Sequence, residues 1–145
     1  MKNKEKFEGF KKNLIEENEK KYGKEIRQKY GEDTVEKSNQ KLMDMTEEQY
    51  NDVEILGEAL NKKLKEATEA GDPTSELAQE VCDLHRRWLT FYWPEGAYNK
   101  EAHMSLVETY TQDERFKEYY EKIAPGAADF LYEAIKIYCA WFYDI

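Results

Sequence analysis

Few residues in this chain could do chemistry, and they are scattered: two histidines, His85 and His103, and two cysteines, Cys82 and Cys139. A di-iron carboxylate site needs Glu-x-x-His pairs on facing helices, and neither histidine has an acid three residues before it. The cysteines are far apart in the chain, lack Cys-x-x-Cys or metal-ligand spacing, and each falls inside an apolar helical pattern, as reduced core thiols do. Nucleophilic catalysis requires a thiol or hydroxyl beside a base that a third group orients, and no such grouping is legible. Glycine-rich phosphate loops are absent as well. His85 on a helix flank has the geometry of an axial haem ligand, but a lone histidine there is usually a hydrogen-bonded structural residue, which is the reading taken. His103, next to Met104, faces either solvent or a pocket. The expectation is a protein that is not an enzyme and carries no metal or cofactor.

Binding is the better-supported chemistry, because the aromatic residues are unevenly placed. All three tryptophans and most of the tyrosines and phenylalanines fall between Trp88 and Tyr143. Small helical cores are usually filled with Leu, Ile and Val, whereas Tyr and Trp add flat faces and a polar tip. Trp88, Phe91, Tyr92, Trp93, Tyr98 and Tyr110 form one such group, and Trp93 and Tyr98 flank a turn containing Pro94 and Gly96. Rings in a turn need a partner to cover them, either a ligand or another chain.

The elements that must position these rings are all helical, since Gly and Pro are few and no strand periodicity is present. Thr46 and Gln49 form a capping box that opens a helix with Tyr50, Val53, Leu56, Leu60, Leu64 and Ala67 on one face, and Gly71 ends it. Asp72 as cap and Pro73 as first residue are expected to start the next helix. That helix carries two apolar rows, Leu77, Val81, Leu84, Trp88 and Phe91 beside Ala78, Cys82, His85, Leu89 and Tyr92, so it should touch two neighbours. A shorter helix is expected over about Asn99 to Tyr110, and another from Thr111, with Glu114 completing a capping box. After the break Ala124-Pro125-Gly126, the chain to Tyr143 is apolar on almost every side. Ala128, Leu131, Ile135, Cys139 and Phe142 form one row, Phe130, Ala134, Ile137 and Trp141 another, and Asp129, Glu133 and Lys136 a narrow wet stripe, which places this helix at a bundle centre or along a cavity.

The first 45 residues are more polar: Phe7, Phe10, Leu14, Ile26 and Tyr30 are separated by the run Glu16 to Lys21. Residues 1–45 are therefore read as a weakly held helical segment that could fold on binding, and 46–145 as the stable core of the same single domain. With 31 acidic against 22 basic side chains and a net charge of -9, the chain repels phosphate backbones and is not expected to bind nucleic acid directly. No stretch approaches the roughly 18 consecutive apolar residues of a membrane span, and no apolar signal region follows the first residues. A cytoplasmic location and a monomer are expected.

Several motifs, in order, resemble the TipAS-type antibiotic-recognition domain at the C-terminal end of MerR-family transcription activators, which include multidrug regulators. They are Phe7-Glu8-Gly9-Phe10, Tyr30-Gly31 with Ser38 downstream, Asp83 to Trp88, Tyr110 to Phe116, and Ala124 to Ala128 leading into Glu133 to Cys139. The resemblance implies a globin-like helical bundle without haem, with a deep cleft for bulky, flat, apolar compounds such as thiopeptides and an N-terminal portion that closes over the ligand. On that basis the cleft is expected to be lined by Tyr30, Trp88, Tyr92, Trp93, Tyr98, His103, Met104, Tyr110 and Phe116. Some members carry a cysteine that bonds covalently to thiopeptides; the best-matching position here is Ser105, a poorer nucleophile, so reversible capture is expected. The stretch Trp93 to Glu101 also looks longer than in the thiopeptide-binding pattern. The winged helix-turn-helix and dimerising helix of MerR-type regulators do not fall within these residues, so DNA contact would come through a separate N-terminal domain, or the domain acts alone as a drug-sequestering protein. A reading of a different class keeps the aromatic patch as a protein-interaction or dimerisation surface.

Overall fold

The computed structural model describes residues 2–141, with side chains from residue 5 onward; the expected positions of Phe142 and Tyr143 lie outside the described residues. The order is α1 (Lys2–Asn18), one π-helical turn (Glu19–Gly23), α2 (Lys24–Tyr30), α3 (Glu32–Asp44), α4 (Glu47–Ala70), α5 (Glu76–Tyr92), α6 (Lys100–Gln112), α7 (Glu114–Ile123) and α8 (Ala127–Trp141), with no strand among the described residues. The fold class is all-α.

Helix α4 begins as its sequence requires. The Thr46 hydroxyl accepts from the Gln49 N–H, and the Gln49 side chain accepts from the Thr46 N–H, satisfying two donors that the helix leaves open. Gly71 closes it in the left-handed conformation, φ 79°, with its N–H on the Ala67 carbonyl, a backbone state that costs a glycine nothing.

Two helix starts differ from expectation. Asp72 does not cap α5: its carboxylate accepts from the Thr74 N–H and hydroxyl, which makes a local turn. Ser75 is the cap instead, accepting from the Ala78 N–H at 3.1 Å. Thr111 does not cap α7 either, because its hydroxyl donates back to the Glu108 carbonyl inside α6. Asp113 takes that role with a charged oxygen on the Arg115 N–H at 3.0 Å, and a negative charge at a helix N-terminus gains from the macrodipole. Asn99 caps α6 through the Ala102 N–H at 2.7 Å.

Helix α8 packs against α4, α5, α6 and α7, the central position its sequence indicates. Ala128, Leu131, Ile135 and Cys139 are buried, whereas Asp129, Glu133 and Lys136 are exposed. The second row is less uniform: Ala134 is buried, Phe130 and Ile137 are half-buried and Trp141 is 57 % exposed. In α5 the row Ala78, Cys82, His85 and Leu89, with Val81, faces the core, while Leu77, Leu84, Trp88 and Phe91 sit at its margin. The main core joins these to Leu60, Leu64 and Ala67 of α4 and to Val107, Tyr110 and Tyr120. A second, smaller cluster, Leu42, Met45 and Val53, collects Leu14, Ile15, Tyr50, Trp88, Phe91 and Tyr92 around it, so Trp88 belongs to both.

Candidate functional site

At the centre of the aromatic half lie His85 and His103, both fully buried. His85 Nδ1 is 2.7 Å from His103 Nε2; beyond them Tyr98 Oη is 2.6 Å from His103 Nδ1 and Tyr110 Oη is 3.4 Å from His85 Nε2. Each neutral imidazole offers one N–H donor and one acceptor. The four groups therefore form a directional chain. If Tyr98 donates to His103, His103 donates to His85 and His85 to Tyr110; the reverse polarity satisfies the same contacts. Both rings are held neutral. Burial, then the nearby His103, keeps His85 well below the ordinary imidazole range, and burial, then the Arg86 guanidinium, lowers His103 to about 3.

Rings extend outward from this pair. Trp93 touches Tyr98 at 5.9 Å between centroids, and Tyr98 touches His103 at 5.3 Å. His85 touches Trp88 at 6.2 Å, which meets Tyr92 edge-on at 5.0 Å. On the other side His85 meets Tyr110 at 5.8 Å, and Tyr110 contacts both Phe116 and Tyr120. Trp88, Tyr92, Trp93, Tyr98, His103, Tyr110 and Phe116 thus belong to one continuous ring network, and Met104 packs against the core beside it. Tyr30 lies at the end of α2, 40 % exposed with the Lys29 ammonium 5.3 Å from its ring, near enough to Tyr110 to help raise that phenol's pKa.

His103 and Tyr110 are buried, whereas Trp88, Tyr92, Trp93, Tyr98 and Phe116 are half-buried. Trp93 and Tyr98 line an open depression of about 780 Å³ between the α5–α6 turn and α3. Ser105 lies on the exposed side of α6.

Sequence reasoning placed the rings but missed what secures them. The motif Asp83 to Trp88 is explained by a closed triangle: Arg86 Nε donates to Tyr138 Oη at 2.9 Å, Tyr138 donates to Asp83 at 3.2 Å, and Arg86 Nη2 reaches Asp83 at 3.1 Å. The last carbonyls of α5 are satisfied from α3. Ser38 donates to Tyr92 O at 2.9 Å, and the Lys41 ammonium donates to Thr90 O and to Trp93 O, the latter at 2.7 Å, a cation at the negative end of the helix. Burial there lowers the Lys41 pKa. His85 and His103 lie on different helices, and nothing in either's sequence neighbourhood signals the other; Ser38, Asp83, Arg86 and Tyr138 fall within the motifs of the family pattern, whereas Lys41 does not.

This defines a class, an all-α bundle whose second half is built around a buried aromatic and imidazole network. The TipAS antibiotic-recognition domain family matches residues 22–138, and the chain belongs to that family. It is similar to the HTH-type transcriptional activator TipA of Streptomyces coelicolor and to that of Streptomyces lividans, each 28 % identical over 99 residues, or 68 % of this chain. The aligned region spans 38 % of the length of each relative. No solved structure matches the chain significantly. No helix among the described residues is long and apolar enough to cross a membrane.

Proposed function

We propose that the chain is a sensor that captures bulky, apolar antibiotics or drug-like compounds without transforming them, either as the effector domain of a MerR-family transcription regulator or as a drug-sequestering protein in its own right. The observation that carries this reading is membership of the TipAS family across most of the chain. The ring network supplies the matching chemistry, because large flat surfaces with a few hydrogen-bonding tips bind apolar ligands by stacking and orient them by polar contacts.

Capture without catalysis is supported by the state of the reactive groups. Both nitrogens of His85 are engaged by protein partners, and neither buried imidazole reaches solvent, so neither is available as an acid or base toward an outside substrate. Burial pushes the Cys82 thiol far above its ordinary range and leaves it inert.

The test is a titration of a panel of thiopeptide and polycyclic antibiotics followed by tryptophan emission. Saturable quenching or shift by at least one compound is expected, and mass spectrometry of the complex should show no covalent adduct. A flat emission signal across the panel overturns the reading.

A further inference from the structure

Phe7 and Phe10 of α1 meet Tyr50 of α4 in a trio of rings whose centroids lie 5.4 to 6.4 Å apart. The trio lines an open depression of about 390 Å³ together with Lys6, Glu47 and Asn51. Phe10 is 43 % exposed, and Ile55, one turn beyond Asn51 on α4, is 64 % exposed. None of these residues lines the depression at the α5–α6 turn or contacts the imidazole pair. An apolar patch left open to solvent and rimmed by polar groups marks a surface for association.

The charge beside the patch indicates what covers it. Between Thr46 and Asn61, α4 carries Glu47, Glu48, Asp52, Glu54 and Glu58, all exposed, and no basic residue. Glu47 and Glu48 lie in the first turn, where the macrodipole favours a carboxylate. Asp52, Glu54 and Glu58 lie beyond it, so the dipole does not account for them. Among the described residues none of the five forms an ion pair; Glu54 accepts from the Tyr50 hydroxyl, which ties the carboxylates to the ring trio.

Glu47, Asn51, Glu54 and Glu58 follow one another at spacings of four, three and four, so they form one row along the helix. At 1.5 Å per residue that row is about 16 Å long, or three turns. Its counterpart is a helix of similar length with an apolar face flanked by lysine or arginine, the arrangement by which amphipathic helices seat in grooves. Lys6 is the one cation lining the depression. A second copy of this chain fits less well, because each carries a net charge of -9 and two such chains repel.

We infer that the α1–α4 depression docks a basic amphipathic helix of a partner protein, its apolar face on Phe7, Phe10 and Tyr50 and its cations along the carboxylate row of α4. This surface is additional to drug capture and does not depend on it.

The probe is a fluorescein-labelled leucine–lysine peptide of about 15 residues, long enough to form a helix, with leucines at i, i+3 and i+4 spacing. Fluorescence anisotropy with the full chain should show saturable binding to one site. Phe10→Ser removes the exposed ring, and Glu47→Lys reverses a charge at the edge of the depression; each should weaken binding by at least about tenfold. Glu69→Lys makes the same change in charge at the far end of α4 and should leave binding within about twofold. A peptide with glutamate in place of every lysine should not bind. Helical circular dichroism should match in all four proteins. Equal weakening by Glu47→Lys and Glu69→Lys would reduce the effect to bulk charge attraction and overturn the site, as would binding that survives Phe10→Ser or no saturable binding at all. Sedimentation of the chain alone should show a monomer; a dimer that Phe10→Ser dissociates would give this face to a second copy and overturn the proposal. None of these outcomes alters the antibiotic titration, which tests drug capture separately.

Discussion

Leu64, Val81, Val107, Leu131 and Ile135, drawn from α4, α5, α6 and α8, are each at 0 % exposure, while α1–α3 reach their neighbours through a smaller apolar cluster around Leu42, Met45 and Val53 together with polar and charged side chains. Lys11 of α1, 1 % exposed, donates to the Met43 and Met45 carbonyls at 2.6 and 2.8 Å and pairs with Glu8 at 3.0 Å. Arg115 of α7 holds Glu25 of α2 at 2.6 Å, and Lys29 donates to Thr109 at 3.0 Å. Burial of apolar area stabilises in proportion to area and tolerates small shifts. Hydrogen bonds and ion pairs depend on direction, and exposed ones weaken with salt. One chain thus combines a region held mainly by area with one in which directional contacts supplement a smaller apolar cluster, and the second is expected to open at lower free-energy cost.

Leu64→Ala should have the largest effect, about 2–5 kcal/mol of lost stability, because it leaves a cavity where α4 meets the core. It should appear as a lower urea midpoint for the whole chain. An effect below about 1 kcal/mol would mean that the core is looser than its burial indicates.

Acid should act on the same region through the histidine pair. Both imidazoles are neutral when folded and take up protons near pH 6.5 when unfolded, so the unfolded chain binds more protons below that point. Stability from this source is complete above about pH 6.5 and is lost progressively as pH falls toward the depressed folded values. Urea midpoints measured from about pH 7 down to pH 4 should fall, and His103→Gln should flatten that dependence. An unchanged slope in the variant would separate the acid response from the pair.

Lys11→Met tests the other region. It leaves two carbonyls at the end of α3 without their donor, a cost of about 1–3 kcal/mol. Amide hydrogen exchange should quicken in α1–α3 more than in α4–α8. Equal acceleration throughout would dissolve the contrast and make the chain one cooperative unit. The smallest effect is expected for Arg115→Gln: its contacts to Asp113 and Glu25 are exposed, so the change should barely move the urea midpoint and shrink further in high salt.

Much of the helical framework was legible because its signals are local. Thr46 with Gln49, Gly71, Asn99 and the break at Ala124 to Gly126 act through neighbours within a few residues, and the wet stripe of α8 exposes its remaining faces as core. Where two local acceptors competed, the sequence was ambiguous: Asp72 against Ser75 and Thr111 against Asp113 were decided by which oxygen reached the open N–H groups, the loser bonding elsewhere in its own turn.

The aromatic residues themselves were evident from composition, but their arrangement was not. His85 and His103 are ordinary residues on separate helices until α5 and α6 place their rings 4.9 Å apart, and the same packing turns Tyr98 and Tyr110 into the ends of one hydrogen-bonded chain. Ser38 and Lys41 likewise look like surface residues of α3 until the end of α5 arrives beside them. Most helix starts and stops follow from the sequence because they depend on contacts spanning a few residues. The imidazole pair, the depression beside Trp93 and the fastening of α3 to α5 depend on groups roughly twenty to fifty residues apart, which only the tertiary structure brings within hydrogen-bond reach.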